Sequence, residues 1–180
     1  MDFEEFPKIA RLSRECTITE KIDGTNGCVY IGDDGEFKVG SRTRWLTVET
    51  GDNAGFLLWA TTNKAELMKL GPGRHFGEWW GAGIQRRYDQ TVKRFSLFNT
   101  FRWGDVAVRP TCCDVVPILY QGLFTTDAVD AVIERLKTNG SDAAPGFLKP
   151  EGAIIYHHAA RIYMKKTLDK DDEWKGKIKQ

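Results

Sequence analysis

Lys21 stands in the run Thr19-Glu20-Lys21-Ile22-Asp23-Gly24-Thr25-Asn26, a Lys-x-Asp-Gly-x-Asn string. A lysine just ahead of an Asp-Gly turn presents its amine at a strand end, beside a carboxylate and a pliable backbone. An amine so placed can act as a nucleophile toward a phosphoanhydride. It must react uncharged, whereas a free lysine has a pKa of about 10.4, so only about one molecule in a thousand is ready at neutral pH. The same string also fits a plain polar turn in which Lys21 is solvated and Asn26 satisfies turn amides.

The elements that must position this string are short. Residues 16–21 read as a strand ending at the motif, and 26–32 with 36–41 as a hairpin across Asp33-Asp34-Gly35. Residues 54–61 and 64–70 read as two helices, with Asp52 or Asn53 starting the first and Asn63 the second, and Gly71-Pro72-Gly73 stopping them. A strand over 74–79 precedes the loop Gly81-Ala82-Gly83. Residues 94–101 alternate as a strand, with Phe95, Leu97, Asn99 and Phe101 on one face and Ser96, Phe98 and Thr100 on the other.

Residues 112–120 read as a further strand despite Pro117. The clearest helix is 127–137, where Val129, Val132, Ile133 and Leu136 form one stripe and Asn139-Gly140 ends it. Strands over 152–157 and 161–167 flank a tight turn near Ala159-Ala160. Phe3, Phe6, Ile9 and Leu12, interrupted by Pro7, suggest a short arm or turn, and the tail from Asp169 is charged and solvated. With no repeat and no linker, the fold class is α+β: mainly antiparallel sheets flanked by helices.

The 180 residues suit one domain with a real core. With 26 basic against 25 acidic residues, no global field draws the chain to nucleic acid or membrane, so any polyanion site is a local cluster. No apolar run approaches the ~20 residues of a membrane span, and Met1-Asp2-Phe3-Glu4-Glu5 does not read as a signal peptide. Cys16, Cys28, Cys112 and Cys113 lack a C-x-x-C spacing, and the adjacent pair would point to opposite faces if extended. They read as reduced core thiols of a cytoplasmic protein. His75, His157 and His158 have no ligand-like spacing.

Downstream of Lys21 come Gly40-Ser41-Arg42, Gly77-Glu78, Phe98 within Phe95-Ser96-Leu97-Phe98-Asn99, Glu151-Gly152-Ala153-Ile154-Ile155, and Tyr163-Met164-Lys165-Lys166. This succession resembles the motifs of the covalent nucleotidyltransferases: RNA ligases, ATP-dependent DNA ligases and mRNA capping enzymes. The compact spacing and the Glu-Gly-Ala-Ile-Ile form are most similar to the RNA ligase branch. The resemblance spans 21–166 and implies an ATP-grasp-like nucleotidyltransferase (adenylation) fold filling residues 1–180, with no C-terminal accessory domain evident. It implies an ATP-dependent RNA ligase that adenylates Lys21, passes AMP to a 5′-phosphate and seals it to a 3′-hydroxyl. ATP would be the substrate, Mg²⁺ or Mn²⁺ the metal and RNA the partner, with an accessory protein or domain as a further partner.

The resemblance also assigns roles. Lys21 would be the nucleophile, and Lys165 and Lys166 would bind the α-phosphate and stabilise charge as pyrophosphate leaves. Glu20, Ile22, Asn26, Arg42, Glu78, Phe98, Glu151 and Lys165 would line the nucleotide site, Glu78 accepting from a ribose hydroxyl and Phe98 stacking on the base. Glu151, with Asp23, would hold the metal, which prefers oxygen ligands and keeps several waters. Glu20, Asp23, Glu78 and Glu151 would favour the ammonium form of Lys21, and Arg42, Lys165, Lys166 and the metal would oppose them.

Each residue has a plain alternative: Arg42 in a hairpin salt bridge, Phe98 in a core, Glu78 on a rim, Lys165 and Lys166 along a solvated strand edge. Trp79-Trp80 and Arg86-Arg87-Tyr88 fit either a nucleic-acid groove or, respectively, a core and a solvated loop. Relatives often show Lys-x-Lys in the last motif, whereas Lys165-Lys166-Thr167 sends its two lysines to opposite strand faces. A small DNA ligase and a nucleotide- or nucleic-acid-binding protein without turnover are the competing functions. Phe98 would stack on any purine, so ATP against GTP stays open.

Overall fold

Cys16, Ile18 and Glu20 alternate with Thr19 and Lys21 along the first strand, β1 (Glu15–Lys21), and the first three are buried while the last two are half-buried. In the computed structural model, which describes residues 1–169, that alternation places β1 in the middle of a four-stranded sheet. Its neighbours are β7 (Ile118–Leu123) on one side and β8 (Gly152–His157) on the other, with β9 (Ile162–Thr167) beyond β8, all antiparallel. Helix α4 (Thr126–Asn139) covers one face. Val129, Val132, Ile133 and Leu136 pack on Cys16, Ile18, Ala153 and Ile155, the stripe that the sequence predicts.

The second sheet has five strands in the order β3 (Phe37–Gly40), β2 (Thr25–Ile31), β4 (Gly73–Gly81), β5 (Lys93–Leu97), β6 (Asp114–Val115). Only the short β5–β6 pairing is parallel. Val29, Ile31, Val39, Trp79, Phe95 and Leu97 turn inward against Phe56 and Ala60 of α1 (Phe56–Thr62) and Leu67 of α2 (Lys64–Leu67). The opposite face of this sheet carries Asn26, Glu78 and Ser96 side by side in register.

The backbone crosses between the sheets at residues 22–24, from β1 into β2, and again at 116–117, from β6 into β7. A third apolar cluster of Ile22, Trp80, Tyr88, Val116 and Ala144 fills this seam. The single strand expected over 112–120 is therefore two. Pro117 has no amide to give a ladder, its carbonyl accepts the Glu20 amide at 2.9 Å, and the chain changes sheets there. The strand expected over 94–101 stops at Leu97, because Asn99 Oδ1 accepts the Arg102 amide at 3.0 Å and starts helix α3 (Thr100–Trp103). Phe101 is consequently fully exposed.

Residues 112 and 113 form a turn rather than extended chain, their sulfurs are 3.9 Å apart, and all four thiols are free. Residues 1–11 have no regular structure, and Phe3, Phe6, Ile9 and Leu12 are exposed. The charged tail, past Asp169 itself, lies outside the described residues. Among the described residues no helix is long and apolar enough to cross a membrane.

Gly152 begins β8 with φ 154°, and a Cβ there would lie 2.2 Å from the Lys166 carbonyl oxygen and 2.7 Å from Thr167 Cα. Only glycine lets β9 come this close. Gly152→Ala should separate the two strands and lower stability by about 1–3 kcal/mol, read as a lower urea midpoint with an unchanged denaturant slope.

Candidate active site

Lys21 is the last residue of β1 and pairs across the ladder with Gly152, so the residue before Gly152 arrives beside its side chain. The Lys21 amine donates to the Glu151 carboxylate, both side chains being about four-fifths buried (22% and 18% exposed). A second carboxylate comes from the other sheet. Glu78 lies opposite Asn26 in the β2–β4 register and accepts from Asn26 Nδ2 at 2.9 Å and the Gly24 amide at 3.0 Å. Burial drives its carboxyl up to about 7, against the pull of Asn26, the Lys21 charge and the Gly24 amide, and the nearby Glu151 charge adds to the rise.

The turn between Lys21 and Asn26 must pass close under β4. A Cβ on Gly24 would sit 2.4 Å from the Trp79 carbonyl oxygen and 2.8 Å from Trp80 Cβ, so glycine alone fits. Asp23 is engaged by the loop between β4 and β5: its amide donates to the Tyr88 hydroxyl at 2.9 Å and its carboxylate accepts Arg86 Nε at 3.1 Å. Of the two carboxylates, Glu151 is the one beside the Lys21 amine, and one carboxylate with waters and phosphates suits Mg²⁺ or Mn²⁺. Among the described residues no group of three His, Cys, Asp or Glu gathers to hold an ion.

Strand alternation sends the neighbours of Lys21 the other way. The Glu20 carboxylate, 1% exposed, is capped by Ser141 Oγ at 2.5 Å and by the amides of Asp142 and Ala143 at 2.8 and 2.9 Å. Burial raises its pKa, and those three donors oppose the rise. The Ile22 side chain is buried in the seam cluster. Neither side chain shares the Lys21 face.

Phe98 follows β5 directly, 39% exposed, its amide donating to the Phe76 carbonyl at 2.9 Å. By alternation it lies on the sheet face of Ser96 and Glu78. Ser96 is itself buried and accepts Trp80 Nε1 at 2.9 Å, so Trp80, like Trp79, is core rather than groove floor. Arg42 is exposed in the turn after β3, which the Ser41 amide closes on the Arg44 carbonyl at 2.8 Å. On β9, Lys165 pairs with Ile154 and Thr167 with Gly152, on the face of Lys21, whereas Lys166 pairs with Ala153 on the α4 face.

The structure thus gathers Lys21, Glu151, Glu78 and Asn26 at the seam. Lys165 and Phe98 stand on adjoining sheet faces, and Arg42 on the neighbouring turn. Nothing in the residue pattern signals that Tyr88 accepts the Asp23 amide, that Arg86 donates to the Asp23 carboxylate, or that Ser141 donates to Glu20. These partners lie 63 or more residues apart in the chain.

No curated protein sequence matches the chain. Solved structures of Naegleria gruberi RNA ligase carrying point substitutions do resemble it. An apo form aligns with a TM-score of 0.64 at 18% identity, covering 91% of this chain and 53% of that one. A form with AMP and Mn gives 0.65 at 19% over the same shares, and one with ATP and Mn gives 0.60 at 20%, covering 90% and 52%. The likeness establishes a shared fold, and this chain spans about half the length of those proteins. In sequence, residues 14–171 match the RNA ligase family. That match takes in both sheets, the seam between them and Lys21, Glu78 and Glu151, and the chain therefore belongs to the RNA ligase family.

Proposed function

We propose that the chain is the nucleotide-transferring unit of an ATP-dependent RNA ligase that works through a lysyl-AMP on Lys21. The observation that carries this reading is the Lys21 amine paired with Glu151 and flanked by buried Glu78 where the two sheets exchange chain. The Lys21 nitrogen, having lost a proton, attacks the α-phosphorus of ATP. A P–N bond forms, the nitrogen gives up a second proton to solvent, the α–β anhydride breaks, and pyrophosphate leaves with the electron pair. An oxygen of a 5′-phosphate then displaces the lysine from AMP, and a 3′-hydroxyl oxygen, giving up its proton, displaces AMP to form the phosphodiester.

The other residues take roles that their positions allow. Glu78 accepts from a ribose hydroxyl, and Phe98 offers its open ring to the base. Arg42 contacts the ribose or phosphate end, and Lys165 meets the α-phosphate. Glu151, directly or through water, would hold Mg²⁺ or Mn²⁺, whose charge neutralises phosphate when bound; the ATP and Mn in a Naegleria RNA ligase structure support that choice. RNA is favoured as the partner because the family is that of RNA ligases.

Incubation with α-labelled ATP and a divalent metal should leave label on the protein through denaturation, and Lys21→Ala should abolish it; no label under either metal would defeat the reading. A nick with ribose at its 3′-hydroxyl side should seal faster than one with deoxyribose, the reverse order favouring a DNA ligase.

The strand register separates the two lysines of β9. Lys165→Ala should slow adenylation by roughly 100-fold. Lys166→Ala should cost only about threefold, because its side chain lies on the α4 face. Equal losses would refute the face assignment.

Glu78 provides a pH test. Its raised carboxyl pKa adds stability that is fully present below the ordinary carboxylate range and is lost as pH rises through about 7. Relative to Glu78→Gln, the protein should therefore lose on the order of 3 kcal/mol between about pH 4.5 and 8, measured by urea melts. Affinity for an α,β-methylene ATP analogue should rise across the upper part of that window, as the carboxylate forms, and stay flat in Glu78→Gln.

A further inference from the structure

The β1–β8 ladder ends at the Lys21–Gly152 pair, one residue short of Glu151. Beyond it the two chains diverge, Ile22 entering the seam while Pro150 leads away, so ladder hydrogen bonds do not hold Glu151 to Lys21. The loop joining β4 to β5 takes over at that point. Tyr88 is fully buried, its ring centroid 5.3 Å from that of Trp80 and 4.6 Å from that of Phe147. Its hydroxyl oxygen accepts the Asp23 amide at 2.9 Å and also faces the Glu151 amide. Arg86 spreads across the same segments. Its Nε donates to Asp23 Oδ2 at 3.1 Å, its Nη1 to the carbonyls of Lys149 and Pro150 at 3.1 and 3.5 Å, and its Nη2 to Asp169 Oδ2 at 3.3 Å.

The backbone of this loop is strained. Gln85, Arg87, Tyr88 and Asp89 have φ of 43°, 60°, 50° and 51°, the left-handed region that non-glycine residues avoid. Such a run persists only where surrounding contacts fix it, and here turn bonds within the loop, such as the Gln90 amide to the Arg87 carbonyl at 3.0 Å, are joined by contacts to the segments that carry Lys21 and Glu151 and to Asp169 just past β9. A loop serving only to connect two antiparallel strands needs none of these outside contacts.

We propose that Arg86 and Tyr88 are positioning residues: a clasp across residues 23, 149–151 and 169 that sets Lys21 against Glu151 and so fixes the line of attack on the nucleotide. The proposal rests on the reading of Lys21 as the nucleophile. Neither residue bonds to the Lys21 amine; each acts through the backbone on either side of it.

Tyr88→Phe keeps the ring and removes the acceptor, and Arg86→Lys keeps a charge for Asp23 but loses the fork that reaches the carbonyls. At saturating ATP, single-turnover adenylation should fall by about 10- to 100-fold in each, while the apparent ATP affinity moves by less than about threefold. Amide exchange at Asp23 and Glu151 should quicken in Tyr88→Phe while that at Trp79 and Phe95 stays slow. Millimolar guanidinium should restore part of the Arg86→Ala rate and leave Tyr88→Phe unchanged. Wild-type rates in both variants, a loss arising wholly from ATP affinity, or faster exchange spread evenly over both sheets would each overturn the clasp. If the unmodified protein forms no adenylate at all, the ligase reading fails, and local exchange at Asp23 and Glu151 still decides whether the clasp holds that backbone.

Discussion

The contact between the Lys21 ammonium and the Glu151 carboxylate, with the Glu78 carboxyl buried alongside, is the constraint around which the rest is arranged. A pair this far buried contributes little net stability, because the cost of desolvating both charges offsets much of their attraction. Glu78 works against the fold once ionised, as its raised pKa shows. These groups therefore do not hold the molecule together; the two apolar cores hold them. Phe56, Trp79 and Phe95 on one side, and Ile18, Ile155 and Leu136 on the other, fix the sheets whose inner strands carry or adjoin the lysine and the carboxylates.

The double exchange of chain between the sheets makes that arrangement firm. A single crossing at residues 22–24 would leave the sheets hinged about one turn. The second crossing at 116–117, tied by the Glu20 amide to the Pro117 carbonyl and by the Val116 amide to the Leu97 carbonyl at 3.1 Å, closes the hinge. Buried Glu20 adds a further tie, drawing the 141–143 turn onto β1 next to the nucleophile. Three consecutive residues, Glu20, Lys21 and Ile22, thus point into three different environments.

What was legible in the sequence was local. The α4 stripe, the β8–β9 pair and the string around Lys21 declare themselves by period or by turn chemistry within a dozen residues. Pro117 was visible as a misfit, but its meaning depends on a Glu20 amide almost a hundred residues away. Residues 94–101 kept a two-residue alternation to the end, and only the Asn99 cap decided that Phe101 leaves the sheet. The spacing of Glu78 from Lys21 says nothing by itself; the β2–β4 register, which puts Asn26 opposite Glu78, makes them neighbours. Arg86 and Tyr88 stood out as a basic and aromatic run, but several of their partners are backbone groups, which carry no residue-type signature, and the Asp23 and Asp169 carboxylates lie 63 and 83 residues from Arg86.

The β9 register bears on the charge balance of the proposed reaction. On the face of Lys21 it offers one cation, Lys165, and a hydroxyl, Thr167, where relatives often place a second lysine. Against them stand Glu151 and, above pH about 7, ionised Glu78. Bringing a triphosphate to this face while Lys21 gives up its proton leaves an excess of negative charge in a half-buried seam, where water screens poorly. Lys166, on the α4 face, is poorly placed to offset it. In the proposed reaction a divalent cation at Glu151 would be the simplest remedy, and a second carboxylate facing the phosphates would add to the excess that such a metal has to neutralise, whereas Asp23 is paired with Arg86.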